Sequence, residues 1–121
     1  VAKKPAPSAP PDKVALYEHA VATLPELARK GAALPYTSLN GNMFSILGAD
    51  GVMGLRLAAP DREAFLRDHG ARLYEAYGAV MKEYVAVPPA LLADTPRLAP
   101  YMAASLAYAT TLRAKPTTRK T

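Results

Sequence analysis

Apolar and polar residues alternate most regularly between Tyr36 and Leu57, YTSLNGNMFSILGADGVMGLRL, a stretch that reads as extended segments over 36–39, 42–48 and 52–58 joined by tight turns. Asn40-Gly41 and Asp50-Gly51 suit type I′ turns, whose two central residues both take positive φ. Closing the second hairpin on Asp50-Gly51 predicts Ile46 opposite Leu55 and Phe44 opposite Leu57. Phe44, Ile46, Met53, Leu55 and Leu57 then share one face. A four-residue loop from Gly48 to Gly51 shifts the pairs but keeps that facing. The other face carries Met43, Leu47, Val52, Gly54 and Arg56, with Tyr36, Ser38 and Ser45 around them.

Helical spacing appears on either side. Val14, Tyr17, Val21 and Leu24 predict a helix over 12–24, capped by Asp12 and stopped by Pro25. The segment from Glu26 to Leu34 reads as an irregular lead-in to the strands. Pro60, Asp61 and Glu63 open a helix over 61–69, and Gly70 closes it. Residues 72–77 and 80–87 read as a second hairpin about Gly78-Ala79, with Glu75 opposite Lys82. Pro88-Pro89 ends it, and a single turn over Ala90–Ala93 leads to Asp94 or Thr95, the cap of a last helix over 96–113. That helix has an apolar line of Leu98, Met102, Leu106, Ala109 and Leu112. The class is therefore α+β: a single domain over 12–113 with an antiparallel sheet, in the order α-β(3)-α-β(2)-α. Phe44, Ile46, Leu55, Leu57, Phe65, Val85, Leu98 and Met102 form the expected core.

With 121 residues, half of them apolar, the chain is sized for one core. Without cysteine it has neither disulfides nor thiolate chemistry, which fits a reducing cytoplasm. No apolar run approaches the roughly 18–20 residues that span a bilayer. Residues 1–11, with four prolines and no periodicity, read as a disordered leader lacking the apolar stretch of a secretory signal.

The net charge of +5 invites a nucleic-acid reading, but its placement narrows that reading. Residues 13–112 carry nine basic and nine acidic side chains, whereas Arg113, Lys115, Arg119 and Lys120 stand in a tail without acids. Any DNA binding is therefore expected to be weak, salt-dependent and confined to that basic, disordered tail over 114–121 and its approach. No phosphate-tracking groove is expected on the body.

Candidate chemistry is sparse. His19 and His69 lie on different predicted helices, and neither HxxxH nor HExxH occurs, so no metal site is expected. Gly41, Gly48, Gly51, Gly54 and Gly78 form neither GxGxxG nor a Walker loop. Asp61, Glu63 and Asp68 suit a helix start and its surface, and Ser45 has no evident base. The reading is of a protein without catalytic residues, cofactor or small-molecule ligand. The half-apolar second sheet face is the informative feature, because such faces are usually polar. It predicts a protein-partner or self-association surface at Met43, Leu47, Val52 and Arg56, with Arg56 as the orienting contact. Cover by the chain's own helix or by the Glu26–Leu34 segment is the alternative, as is an internal pair of Arg56 with an acid such as Glu75.

The segments NGNMFSILGADGVMGLRL at 40–57, PDREAF at 60–65 and MKEYVAVP at 81–88, with the helix after Asp94, resemble the N-terminal domain of TfoX/Sxy-type proteins over roughly residues 13–112. The resemblance implies the α-β(3)-α-β(2)-α fold, a bacterial source and a regulatory role in transcription. Two features depart from the family. Met43-Phe44 is followed by Ser45 where the family often has glycine, and the second, helix-rich domain of the full-length regulators has no counterpart in these residues.

Overall fold

The computed structural model describes residues 8–24, 31, 34–76 and 78–113. The expected tail over 114–121, most of the leader and nearly all of the Glu26–Leu34 segment lie outside these. The described residues form α1 (Pro11–Val21), β1 (Tyr36–Leu39), β2 (Asn42–Leu47), β3 (Met53–Arg56), α2 (Ala59–His69), β4 (Leu73–Ala76), β5 (Ala79–Val87), α3 (Pro89–Leu92) and α4 (Thr95–Thr111). This is the expected α+β domain, with an antiparallel five-stranded sheet in the order β1-β2-β3-β5-β4. The helices pack on one face over a core that includes Tyr17, Phe44, Leu47, Met53, Leu55, Leu57, Phe65, Val85, Leu98 and Met102.

Local rules account for most boundaries. Asn40 and Gly41 take φ of 53° and 80°, as a type I′ turn requires, and Leu39 pairs with Asn42 across them. Gly70 adopts the left-handed conformation at the end of α2. The Asp94 side chain accepts a hydrogen bond from the Arg97 backbone N–H at 3.3 Å, capping α4. At α1 the capping position belongs to Pro10 rather than Asp12, which sits in the first turn beside the positive helix end. Ala9 is already buried against the core, so the ordered body begins before residue 12. Pro100 stands inside α4, not at its start, and removes one backbone hydrogen bond there.

The hairpin registers differ from expectation. Gly48 and Val52 close a three-residue loop, Ala49-Asp50-Gly51, with Gly51 at φ 81° and its N–H donating to the Gly48 carbonyl. An odd loop exchanges the faces of one strand relative to a two- or four-residue loop. Ser45 therefore stands opposite Leu55, Ile46 opposite Gly54, and Leu47 opposite Met53. Leu47 belongs to the core, and Ile46 leaves it for the opposite face. Phe44 remains in the core because the β1–β2 ladder shifts at this point: Thr37 pairs with Ser45 and Ser38 with Met43, leaving Phe44 as the extra residue of a bulge. In the second hairpin Ala76 pairs with Ala79 and Glu75 with Val80, so the Glu75–Lys82 pair does not form. Gly78, at φ 75°, stays in the turn as expected, whereas Ala79 leaves it and opens β5.

Candidate functional site

Hydroxyls at the centre of the core face join α1 and α4 to the sheet. Tyr17 Oη lies 2.6 Å and Thr37 Oγ1 2.5 Å from Ser45 Oγ, all three residues being fully buried. Ser105 Oγ donates from α4 to the Arg56 carbonyl at 2.6 Å and lies 3.2 Å from that of Phe44. These contacts satisfy polar groups that would otherwise be costly in an apolar interior. His69 Nε2 lies 2.9 Å from Tyr101 Oη, with Phe65 packed on both rings, while His19 is exposed on α1. Among the described residues no group of three or more His, Asp or Glu side chains is placed to hold a metal ion.

The opposite sheet face holds a second, smaller apolar cluster. Tyr74, Tyr84 and Ala86 are buried in it, surrounded by half-buried Met43, Ile46, Val52, Ala76 and Met81. Every member comes from a strand or the β2–β3 loop, so no described helix contributes to this cluster. The two tyrosines lie across the strands. Tyr74 reaches from β4 over Gly54, where a Cβ would stand 2.7 Å from its ring, to Gly48, where a Cβ would stand 2.8 Å from its hydroxyl. The Tyr84 hydroxyl donates to the Met43 carbonyl on β2 at 2.7 Å. Beside Tyr74 a hollow of about 510 Å³ opens, bounded by Leu34, Ile46, the loop Gly48-Ala49-Asp50, and Tyr74-Glu75-Ala76.

The expected partner residues separate. Met43 and Val52 do line this face, half-buried. Leu47 does not, since the odd loop turns it into the core, where it is fully buried. Arg56 is engaged within the chain: its Nε donates to Glu83 Oε1 at 2.7 Å and its Nη1 to the Met43 carbonyl at 3.2 Å. Its guanidinium lies 5.7 Å from the Tyr84 ring centre and 5.9 Å from that of Tyr108. The Tyr108 hydroxyl donates to Glu83 Oε2 at 3.0 Å, closing the network. The acid that Arg56 meets is thus Glu83, not Glu75, because β3 lies beside β5 and Arg56 pairs with Tyr84. Only 18% of the Arg56 side chain is exposed, and its Nε and Nη1 donors are engaged within the chain.

This network shifts its titrating groups. Burial pushes the Glu83 carboxyl up, but the hydrogen bonds from Arg56 and Tyr108 and the charges of Arg56 and Arg62 outweigh it and hold the carboxyl below its ordinary range. Burial first, then the hydrogen bond and charge of Glu83, raise the Tyr108 phenol. Burial also raises that of Tyr84, against the opposing charge of Arg56.

Of the basic residues assigned to nucleic acid, Arg113 is exposed and its carbonyl accepts from Asn42 Nδ2 at 2.9 Å. Lys115, Arg119 and Lys120 lie outside the described residues. Sequence reasoning missed Ile46, Tyr74 and Asp50 as parts of one place. The available signal was Gly54 in the middle of a strand, a position that often marks close approach by another group. No family model, curated protein or solved structure matches the chain.

Proposed function

We propose that this chain is a non-catalytic interaction module that meets a protein partner, or a second copy of itself, through the sheet face to which no described helix contributes. The observation that carries the reading is the half-buried apolar rim of Met43, Ile46, Val52 and Met81 around the two buried tyrosines. A rim of this kind gains from being covered, and apolar residues around a rigid aromatic centre are typical of interface cores. The resemblance to the TfoX/Sxy N-terminal domain makes transcriptional regulation in a bacterial cytoplasm the setting. Among the described residues no helix is long and apolar enough to cross a membrane.

Charge substitutions on the face test this reading. Val52→Glu and Met81→Glu should abolish capture of a partner, or self-association in sedimentation, whereas Arg67→Glu on the exposed side of α2 should not. Equal association of all three variants at unchanged stability would remove the face from consideration. The tail charges favour a second reading, a nucleic-acid-associated protein that binds weakly through Arg113, Lys115, Arg119 and Lys120. It predicts that residues 1–112 lose the salt-dependent DNA affinity of the full chain.

A further inference from the structure

The end of the domain from which the basic tail leaves is itself charged. Asn42, 2% exposed at the start of β2, donates from Nδ2 to the Arg113 carbonyl at 2.9 Å, so the chain leaves α4 from a fixed point. The carbonyl of the next residue, Met43, accepts from Arg56 Nη1 and from the Tyr84 hydroxyl. Arg56 and the Tyr108 hydroxyl of α4 both donate to Glu83. Arg62 joins this group from the first turn of α2. Its Nη1 donates to the Leu57 carbonyl at 2.7 Å, and its charge acts on both Glu83 and Tyr108. We propose that Arg62 and Arg113 form, with Lys115, Arg119 and Lys120, one surface that grips the phosphate backbone of duplex DNA.

The proposal rests on the tail reading and deepens it by adding a cation of the folded body. Arg56 and Arg62, two positive charges, face the single carboxylate of Glu83 and leave one positive charge over. Glu83 is held by Arg56 at 2.7 Å, so it does not close off Arg62. A guanidinium has five donors in a fork that matches phosphate oxygens, and Arg62 spends one of them on Leu57. Its side chain is half-buried, which holds the group in place before DNA arrives. Reach is also suitable. Lys120 is seven residues beyond Arg113, at most about 25 Å of extended chain. That is less than one turn of the duplex, about 34 Å, so tail and body address neighbouring phosphates. Each phosphate neutralised releases counterions, so a further cation strengthens binding and steepens its salt dependence whatever the base sequence.

Fluorescence anisotropy of a short labelled duplex, titrated with the full chain over a salt series, reads affinity and salt slope together. Arg62→Gln should lower the slope by about one. It should weaken binding about two- to fivefold, the range of an exposed ion pair. Arg62→Lys keeps the charge and should keep the slope, which separates a phosphate contact from loss of the bond to Leu57. Arg67→Gln, changing a side chain that is 72% exposed in the last turn of α2, should leave both readings unchanged. The proposal is overturned if Arg62→Gln keeps the parental slope, if Arg67→Gln loses as much, or if Arg62→Lys fails to retain it. Binding that is lost in residues 1–112 but indifferent to Arg62 overturns the proposal and leaves the tail reading standing. Absence of duplex binding by the full chain ends both, and Arg62-dependent binding to phosphatidylglycerol vesicles in its place would assign the surface to a membrane.

Discussion

Tyr74 of β4 lies flat against Gly54 of β3, so that a methyl group on Gly54 would stand 2.7 Å from the ring. The strands are not neighbours: β5 runs between them and contributes Ala86, which pairs with Gly54. Two small residues in adjacent strands thus make the groove that the tyrosine fills. Gly54→Ala should destabilise the chain by about 1–3 kcal/mol through overpacking. In a double-mutant cycle with Tyr74→Ala, much of that cost should disappear, because the clashing ring is gone. Additive losses in denaturant unfolding would contradict the contact.

The odd β2–β3 loop sets a second expectation. Leu47 is fully buried in the core, whereas Ile46 is half-buried on the opposite face. Leu47→Ala should cost about 2–5 kcal/mol, as should Leu55→Ala. Ile46→Ala should cost clearly less than either. Chemical denaturation of the three variants decides the register, since the two-residue loop predicts the reverse order for Leu47 and Ile46.

The buried hydroxyl pair on Ser45 predicts a polar cost in the same place. Ser45→Ala removes the hydroxyl that both Tyr17 and Thr37 meet in the buried interior. A loss of about 1–3 kcal/mol is expected. Ser45→Ala combined with Thr37→Val and Tyr17→Phe should recover part of it, because the whole hydroxyl cluster is then replaced by apolar groups. Thermal unfolding of the single and triple variants would show whether the cost comes from unsatisfied groups or from packing.

Glu83 makes stability depend on acid. Its folded carboxyl titrates below its ordinary value of 4.5, so the carboxylate's contribution is fully present above that value and is lost as pH falls through the depressed folded one. Glu83→Gln should therefore be less stable than the parent at neutral pH, and the two should converge as pH falls through the depressed folded value. The effect is expected to be modest, because 40% of the Glu83 side chain is exposed and solvent screens it. Arg56→Glu is a harsher change, placing a second carboxylate beside Glu83 and removing the donor to the Met43 carbonyl. It should cost on the order of 1–3 kcal/mol. Unfolding at intact stability across pH 3–8 in both variants would dismiss the network.

Tyr84 should mark the alkaline limit. Its phenol is raised by burial, so the folded state favours the protonated form, and stability holds below the ordinary value of 10 and falls as pH rises through the folded value. Tyr84→Phe removes this ionisation and should flatten the loss above pH 10. The measurement is the unfolding midpoint between pH 9 and 11.5, which should fall less steeply in the variant, where Tyr108 still titrates.

Residues close in sequence decided the element order, the Asn40-Gly41 turn, the Gly70 helix end, the Asp94 cap and the apolar character of both sheet faces. Each depends on interactions within a few residues, where turn chemistry and helical or strand period dominate. Which residue faced which side was decided elsewhere. The Asp50-Gly51 signal is compatible with two-, three- and four-residue loops, and the choice among them sends either Ile46 or Leu47 to the core. The tertiary environment selects the three-residue loop together with the Phe44 bulge, which puts Phe44, Ser45 and Leu47 all on the helix side. The fate of Arg56 likewise depended on β5 lying beside β3, a neighbour 27 residues further along the chain that brings Glu83 within hydrogen-bond reach. Strand order and register arise from packing over the whole domain, so a pattern read along a single strand determines that a residue is apolar or charged, and only the assembled sheet determines what it touches.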